Sequence, residues 1–320
     1  MSLRIAVQMD PLEKINISGD STFAIMLGAQ ARGHTLFHYL AEDLTYQEGR
    51  VYAGAHEVTV QPVAGDHFKR GEFKILDLGK DVDVVLMRQD PPFDLGYITA
   101  THLLERIQGE TLVVNDPAAV RNSPEKVWVL DFARFMPPTL VTRSLGATRE
   151  FLKTHGEIVV KPLHGFAGGS VFRIGSDGRN LASLMELFYQ TYREPHVVQK
   201  FLPEISEGDK RIVLVDGEVA GAVNRVPGAG EIRSNLAVGG TGRKTELTAN
   251  ELEICAVLGP ELKRRGLLFV GIDVIGGKWL TEINVTSPTG IVAIDKFNGT
   301  DTPALLWDAI EARLHAHRSE

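Results

Sequence analysis

A chain of 320 residues, 43% of them hydrophobic, can bury roughly two domain cores, and a mean hydropathy near zero places it among globular rather than disordered proteins. The formal net charge of -7 leaves no basic surplus to neutralise a phosphate backbone, which excludes nucleic acid as the main partner; a small anion needs only a few local arginines. One cysteine, Cys255, cannot form an internal disulfide and fits a reducing cytoplasm, and no apolar run reaches the about 18 residues of a membrane span.

Leu3 to Met9 is a compact apolar run ending at Asp10-Pro11, a buried strand feeding a loop rather than a targeting signal. Asp20-Ser21 then cap an apolar pattern from Phe23 to Gly33, which predicts a helix. Apolar runs at Val82 to Met87 and Thr111 to Val114 flank helical spacing from Tyr97 to Ile107, so the first part alternates strand and helix. That alternation predicts an α/β domain with a mostly parallel sheet over residues 1–122. The hydrophilic stretch Arg121 to Glu125 breaks the pattern and marks the boundary to a second domain, 123–320.

Beyond residue 123 the texture becomes α+β, with short strands separated by glycine. They are expected at Glu157 to Pro162, Val171 to Ile174, Val197 to Leu202, Arg211 to Val215, Glu218 to Val223, Leu268 to Ile275 and Trp279 to Val285. Helices are expected at Leu181 to Tyr192, Ala249 to Arg265 and Pro303 to Ala316. No phosphate loop of the G-x-x-x-x-G-K type, dinucleotide fingerprint, zinc helix or nucleophile elbow occurs.

Chemistry concentrates in the second half. Gly276-Gly277 between two apolar runs predicts a two-residue hairpin that sets Asp273 opposite Leu280. Asp273, Glu282 and Asn284 then share one face, and Val270, Ile272, Val274, Trp279, Ile283 and Val285 the other. Two carboxylates and an amide oxygen with no lysine between them suit Mg²⁺ or Mn²⁺; spacing alone suits a solvated hairpin face equally well. Gly271 beside Asp273 leaves room for a ligand, and the Thr286-Ser287-Pro288-Thr289-Gly290 tail offers hydroxyls and amides to an anion. Lys161 ends a strand that runs into a loop with Gly165, Gly168 and Gly169, which can fold over phosphates. Lys126, at the start of a helix opened by Ser123-Pro124-Glu125, is a second cation, and Gln199, Lys200, Phe201 and Leu202 could pass under an adenine with backbone groups reading its edge.

The order Lys126, Lys161 with its glycine loop, Gln199 to Leu202, then Asp273 with Glu282-x-Asn284 resembles the ATP-grasp family. Further runs resemble bacterial glutathione synthetases: Gln8 to Pro11, Asp20 to Ala24, Met87 to Asp94, Gly208 to Arg211, Arg233 to Ala237 and Glu282 to Thr289. The resemblance implies an ATP-grasp fold after the first domain, with a lid subdomain at about 140–202. It implies an ATP- and Mg²⁺-dependent ligase that makes glutathione from γ-glutamylcysteine and glycine through an acyl phosphate, in a cytoplasmic tetramer with no nucleic-acid or membrane partner.

By the same resemblance Asp209 joins the ATP site. Arg211, Arg225, Arg233 and Asn235 hold substrate carboxylates or the acyl phosphate, and Arg88, Asp90, Ser287 and Thr289 face the substrate. The segment Val226 to Ile232 is expected to close as a flap over the site. His164 and Ala167 depart from the family's lid-loop pattern, in which an acidic residue and a glycine are usual. The rivals are D-alanine-D-alanine ligases, ligases that add glutamate to protein tails, and a non-catalytic ATP-binding module of the synapsin kind.

Overall fold

The fold is that of a computed structural model, which describes residues 2–317 except 166–167 and 237–238; Phe166, Ala167 and Ala237, quoted above, lie outside the described residues. The first half runs β1 (Arg4–Gln8), α1 (Ser21–Ala31), β2 (Thr35–Tyr39), β3 (Leu44–Gln47), β4 (Arg50–Val60), β5 (Phe68–Asp77), β6 (Val84–Met87), α2 (Leu95–Glu105), β7 (Leu112–Val114) and α3 (Pro117–Arg121). The Asp20 carboxylate accepts the Phe23 N–H at 2.6 Å, the cap that the sequence shows. These strands form one sheet in the order β3-β4-β2-β1-β6-β7, with β5 on β4. The expected parallel ladder joins β2, β1, β6 and β7. An antiparallel extension of β3, β4 and β5, absent from the sequence reading, widens the sheet from four strands to seven. β4 escaped notice because its inward positions include the small Ala53 and Ala55 and its outward ones are polar or glycine.

The chain then makes a tight turn. Pro124 O accepts the N–H groups of Val127 and Trp128, and a 3-10 segment follows at Trp128–Phe135. Lys126 therefore stands on a turn and not on the helix expected from Ser123-Pro124-Glu125, because proline and the Glu125 carbonyl, which accepts the Ile283 N–H at 3.2 Å, fix the backbone locally.

Two antiparallel sheets complete the fold. One has the order β10-β9-β11-β8, from β8 (Thr139–Thr142), β9 (Ile158–Pro162), β10 (Phe172–Ile174) and β11 (His196–Lys200). With α4 (Leu145–His155) and α5 (Leu181–Thr191) it closes a core of its own around Met185, Phe188, Ile158 and Val160. The other has the order β14-β13-β12-β15-β16, from β12 (Asp209–Val215), β13 (Glu218–Val226), β14 (Thr241–Arg243), β15 (Phe269–Ile275) and β16 (Trp279–Asn284). α6 (Ala249–Arg265), α7 (Ile291–Asn298) and α8 (Thr302–His317) cover it.

The two large cores each draw on both halves of the chain. Trp307 of α8, fully buried, gives its Nε1–H to Ile25 O at 2.9 Å, so the last helix packs on α1 of the first sheet. Asn115 is the polar pin between the halves. Its amide donates to Phe269 O and Val285 O and its oxygen accepts the Phe269 N–H, all at 2.8 Å. No helix among the described residues is long and apolar enough to cross a membrane.

Asn115→Ala would strand two carbonyls and an amide in the core. Urea unfolding should show a loss of about 3 kcal/mol with an unchanged slope.

Candidate active site

β15 and β16 build the floor of the site, and their register decides what faces it. Gly276 and Gly277 both take φ near +60°, as the turn demands, but the turn spans three residues: Ile275 pairs with Trp279 and Val274 with Leu280. A bulge at Thr281 then restores the phase, so Asp273 pairs with Glu282 and not with Leu280. The outcome for Asp273, Glu282 and Asn284 is the shared face expected. For the core it differs: Leu280 is fully buried and Trp279 only half-buried.

No open space stands over Gly271. A Cβ there would lie 3.0 Å from Arg211 Nη1 and 3.1 Å from Pro288 Cβ, so the glycine makes room for an arginine and not for a ligand. Arg211 forks onto Asp273, Nε to Oδ1 at 2.6 Å and Nη2 to Oδ2 at 3.1 Å, and its Nη1 donates to Thr289 O at 3.1 Å. Arg225 Nη2 sits between Asp209 Oδ2 at 2.6 Å and Asp273 Oδ1 at 2.9 Å. Lys161 Nζ is 3.0 Å and Lys126 Nζ 3.7 Å from Glu282 Oε1, and Lys126 also bonds the Glu125 carboxylate and Gly165 O.

The carboxylates expected to wait for a cation are thus already balanced by lysines and arginines from neighbouring strands. Four cations face four carboxylates, with Glu125 the member that sequence reasoning missed. Burial would raise Asp273, but Arg211 and Arg225 outweigh it and hold it well below the ordinary carboxylate range. Burial is likewise outweighed at Glu282, held down by Lys126 and Lys161. At Asp209 burial, with Asp273 nearby, outweighs Arg225 and pushes the carboxyl up to about 6. Burial also raises Glu125.

The cluster opens into a cavity of about 300 Å³. Every site residue expected from the sequence lines it except Arg88 and Arg225. Arg225 lies behind the wall, both its partners protein carboxylates. Arg88 is buried too, giving Nε–H to Thr22 Oγ1 at 3.1 Å and Nη2–H to Pro288 O at 2.9 Å. Burial, with Asp10 next to it, raises Asp90, whose N–H bonds Asp10 Oδ2 at 2.8 Å. The Ser287 hydroxyl donates to Arg88 O at 3.2 Å, and the Gly290 N–H goes to Ser21 Oγ at 3.0 Å and is not free for an anion.

At the other end, the N–H groups of Lys200 and Phe201 are taken by Pro138 O at 3.0 Å and Glu157 O at 2.9 Å. Neither can read a base edge; Leu202 supplies the next amide. The Gln199 side chain donates to Thr139 Oγ1 at 3.0 Å, and Arg173 covers the Phe201 ring at 3.9 Å. Gly168, at φ +72°, lies under the segment that follows β13: a Cβ there would be 2.8 Å from Asn235 Oδ1 and 3.5 Å from Arg233 Cδ. His164 stacks on Phe93, ring centroids 5.8 Å apart, so the base of the glycine loop rests on the first domain's Asp90-to-Asp94 run.

For a divalent cation the donor set fits: Asp273 and Glu282 are directly paired, Asn284 Nδ2 lies 3.3 Å from Asp273 Oδ2, and all three line one cavity. Among the described residues no three His, Cys, Asp or Glu side chains form a cage.

Asp209 makes the site's pH dependence testable. Its folded pKa, about 6, stands above the unfolded carboxylate value near 3.8, so the folded state takes up a proton between these limits. Its contribution is fully present below about pH 4 and lost as pH rises through 6. Relative to Asp209→Asn, the chain should lose on the order of 2 kcal/mol between pH 4 and pH 7 in urea unfolding.

Comparison with known proteins agrees with this geometry. The model of the prokaryotic glutathione synthetase N-terminal domain matches residues 3–121, and that of the prokaryotic glutathione synthetase ATP-grasp domain matches residues 125–299. A glutathione synthetase of Rhodopseudomonas palustris is 56% identical over 313 residues, covering 98% of this chain and 99% of that one. One from Shewanella oneidensis is 44% identical over 314 residues, covering 98% and 99%. Among solved structures, a D-cycloserine synthetase superposes with a TM-score of 0.67 at 17% identity, covering 97% of this chain and 99% of that one, a likeness of fold alone. The chain belongs to the prokaryotic glutathione synthetase family, with an ATP-grasp domain as its second part.

Proposed function

We propose that the chain ligates γ-L-glutamyl-L-cysteine and glycine to glutathione, using ATP and releasing ADP and phosphate. The observation that carries it is the charge-balanced cluster at the cavity floor, in a chain 56% identical to a glutathione synthetase over nearly its whole length. An amine cannot expel hydroxide from a carboxylate at a useful rate. The carboxylate oxygen therefore attacks the γ-phosphorus of ATP and ADP leaves; the glycine nitrogen then attacks the acyl carbon and phosphate leaves with the bridging oxygen.

Both steps concentrate negative charge. Lys126 and Lys161 meet the phosphates in this reading, and Gly165, Gly168 and Gly169 line the same cavity. The Leu202 amide and the neighbouring chain hold the adenine. Arg211, Arg233 and Asn235 line the reacting end, Arg225 holds Asp273 and Asp209 in place behind it, and Asp90, Ser287 and Thr289 line the peptide end. Asp273, Glu282 and Asn284 would hold Mg²⁺ or Mn²⁺, which supplies Lewis-acid neutralisation of the phosphate oxygens. With Glu282 holding a cation, Lys126 and Lys161 would be left to the phosphates, so one carboxylate would bear on both.

Phosphate release with ATP and Mg²⁺ should require γ-glutamylcysteine and glycine together, and should fall by at least about 100-fold in Glu282→Ala. Release driven by D-alanine alone would point instead to a D-alanine ligase. ATP binding without turnover on any pair would leave a binding module.

A further inference from the structure

The segment that crosses the cavity between β13 and β14 carries Arg233 and Asn235, both of which reach Gly168 of the glycine loop. Ser234, between them, turns the other way. It is 3% exposed, and its hydroxyl donates to Asp209 Oδ2 at 2.9 Å. Asp209 is held in turn by Arg225 at 2.6 Å, and Arg225 reaches Asp273 at 2.9 Å. The crossing segment is thus tied to the floor by a buried chain of three polar contacts, Ser234 to Asp209 to Arg225 to Asp273. Its far side is close-packed as well: the Gly240 N–H donates to Asn235 O at 3.1 Å, and a Cβ on Gly240 would meet Ser234 O at 1.9 Å, so only glycine fits there.

On this geometry we propose that Ser234 is a positioning residue of the ligase: its hydroxyl fixes the crossing segment on Asp209 so that Arg233 and Asn235 stand over the reacting end and against Gly168. The inference rests on the proposed ligation. Its purchase on the reaction is specific. The acyl phosphate must meet the amine and be kept from water, and a segment that sits loosely fails at both. Among the described residues the Arg233 side chain pairs with the half-exposed Glu231 at 2.9 Å, so the buried side-chain tie of this stretch is Ser234.

The test compares Ser234→Ala and Ser234→Thr with the unmodified chain, measuring glutathione formed, phosphate released and the melting temperature. The unmodified chain should release one phosphate per glutathione. Ser234→Ala should keep its melting temperature within a few degrees while KM for glycine rises by about tenfold, the factor expected when a hydrogen bond to a charged acceptor is lost. Phosphate should then be released in excess of glutathione, because the acyl phosphate is hydrolysed. Ser234→Thr, which keeps the hydroxyl, should restore coupling to one to one. Unchanged coupling and KM in Ser234→Ala, or equal impairment in the Thr and Ala variants, would overturn the positioning role. Failure of the unmodified chain to make glutathione would instead overturn the ligase reading on which it rests.

Discussion

Everything in the site hangs on one shared charge, the Glu282 carboxylate between Lys161 and Lys126. It joins three separately built parts, since Lys161 is the last residue but one of β9, Lys126 stands on the turn that follows α3, and Glu282 belongs to β16. Buried ion pairs add little net stability, because the desolvation of both partners offsets their attraction, yet removing one partner costs about 3–5 kcal/mol. A cluster of four such carboxylates is therefore poorly explained by stability. It fits the proposed ligand chemistry, in which the lysines held on these carboxylates would be available to the phosphates of a nucleotide.

The backbone supports this in small ways that a change of one residue would undo. The Thr281 bulge compensates a three-residue turn and brings Glu282 across from Asp273; without it the two would point to opposite faces. Gly271 lets Arg211 lie flat over β15. Asn115 locks the first sheet to β15 and to the tail after β16, so the cavity wall with Asp90, Ser287 and Thr289 is referenced to the same hairpin as Glu282 and its lysines.

Much of this was legible in the chain. Seven of the nine strands described after residue 123 stand where glycine-separated apolar runs placed them, β8 and β14 being the two not expected, and the Asp273, Glu282 and Asn284 face followed from period two even though the turn assumed was one residue short. What escaped has physical reasons. β4 points the small Ala53 and Ala55 inward, and β5 mixes charged residues with the exposed Phe73 and Ile75, so neither gives a strong apolar period. Glu125 looked like a helix-start polar residue, because burial beside Lys126 is a tertiary fact. Arg88 and Arg225 have the fork that suits an anion, and only packing reveals the protein groups that hold them behind the cavity wall, with Arg88 Nη1 and Arg225 Nε left without a partner among the described residues. Ser234 carried no spacing signal at all, since its partner lies on another strand, 25 residues away.

The account's central claim, that Glu282 keeps the two lysines from the nucleotide until a divalent ion relieves it, is tested most directly by calorimetric titration of ATP into the unmodified chain and Glu282→Gln, each with Mg²⁺ and with a chelator. The account predicts that Glu282→Gln binds ATP more tightly than the unmodified chain when the chelator is present, and gains little from Mg²⁺. Weaker binding by Glu282→Gln under the chelator, with the Mg²⁺ dependence intact, would contradict it.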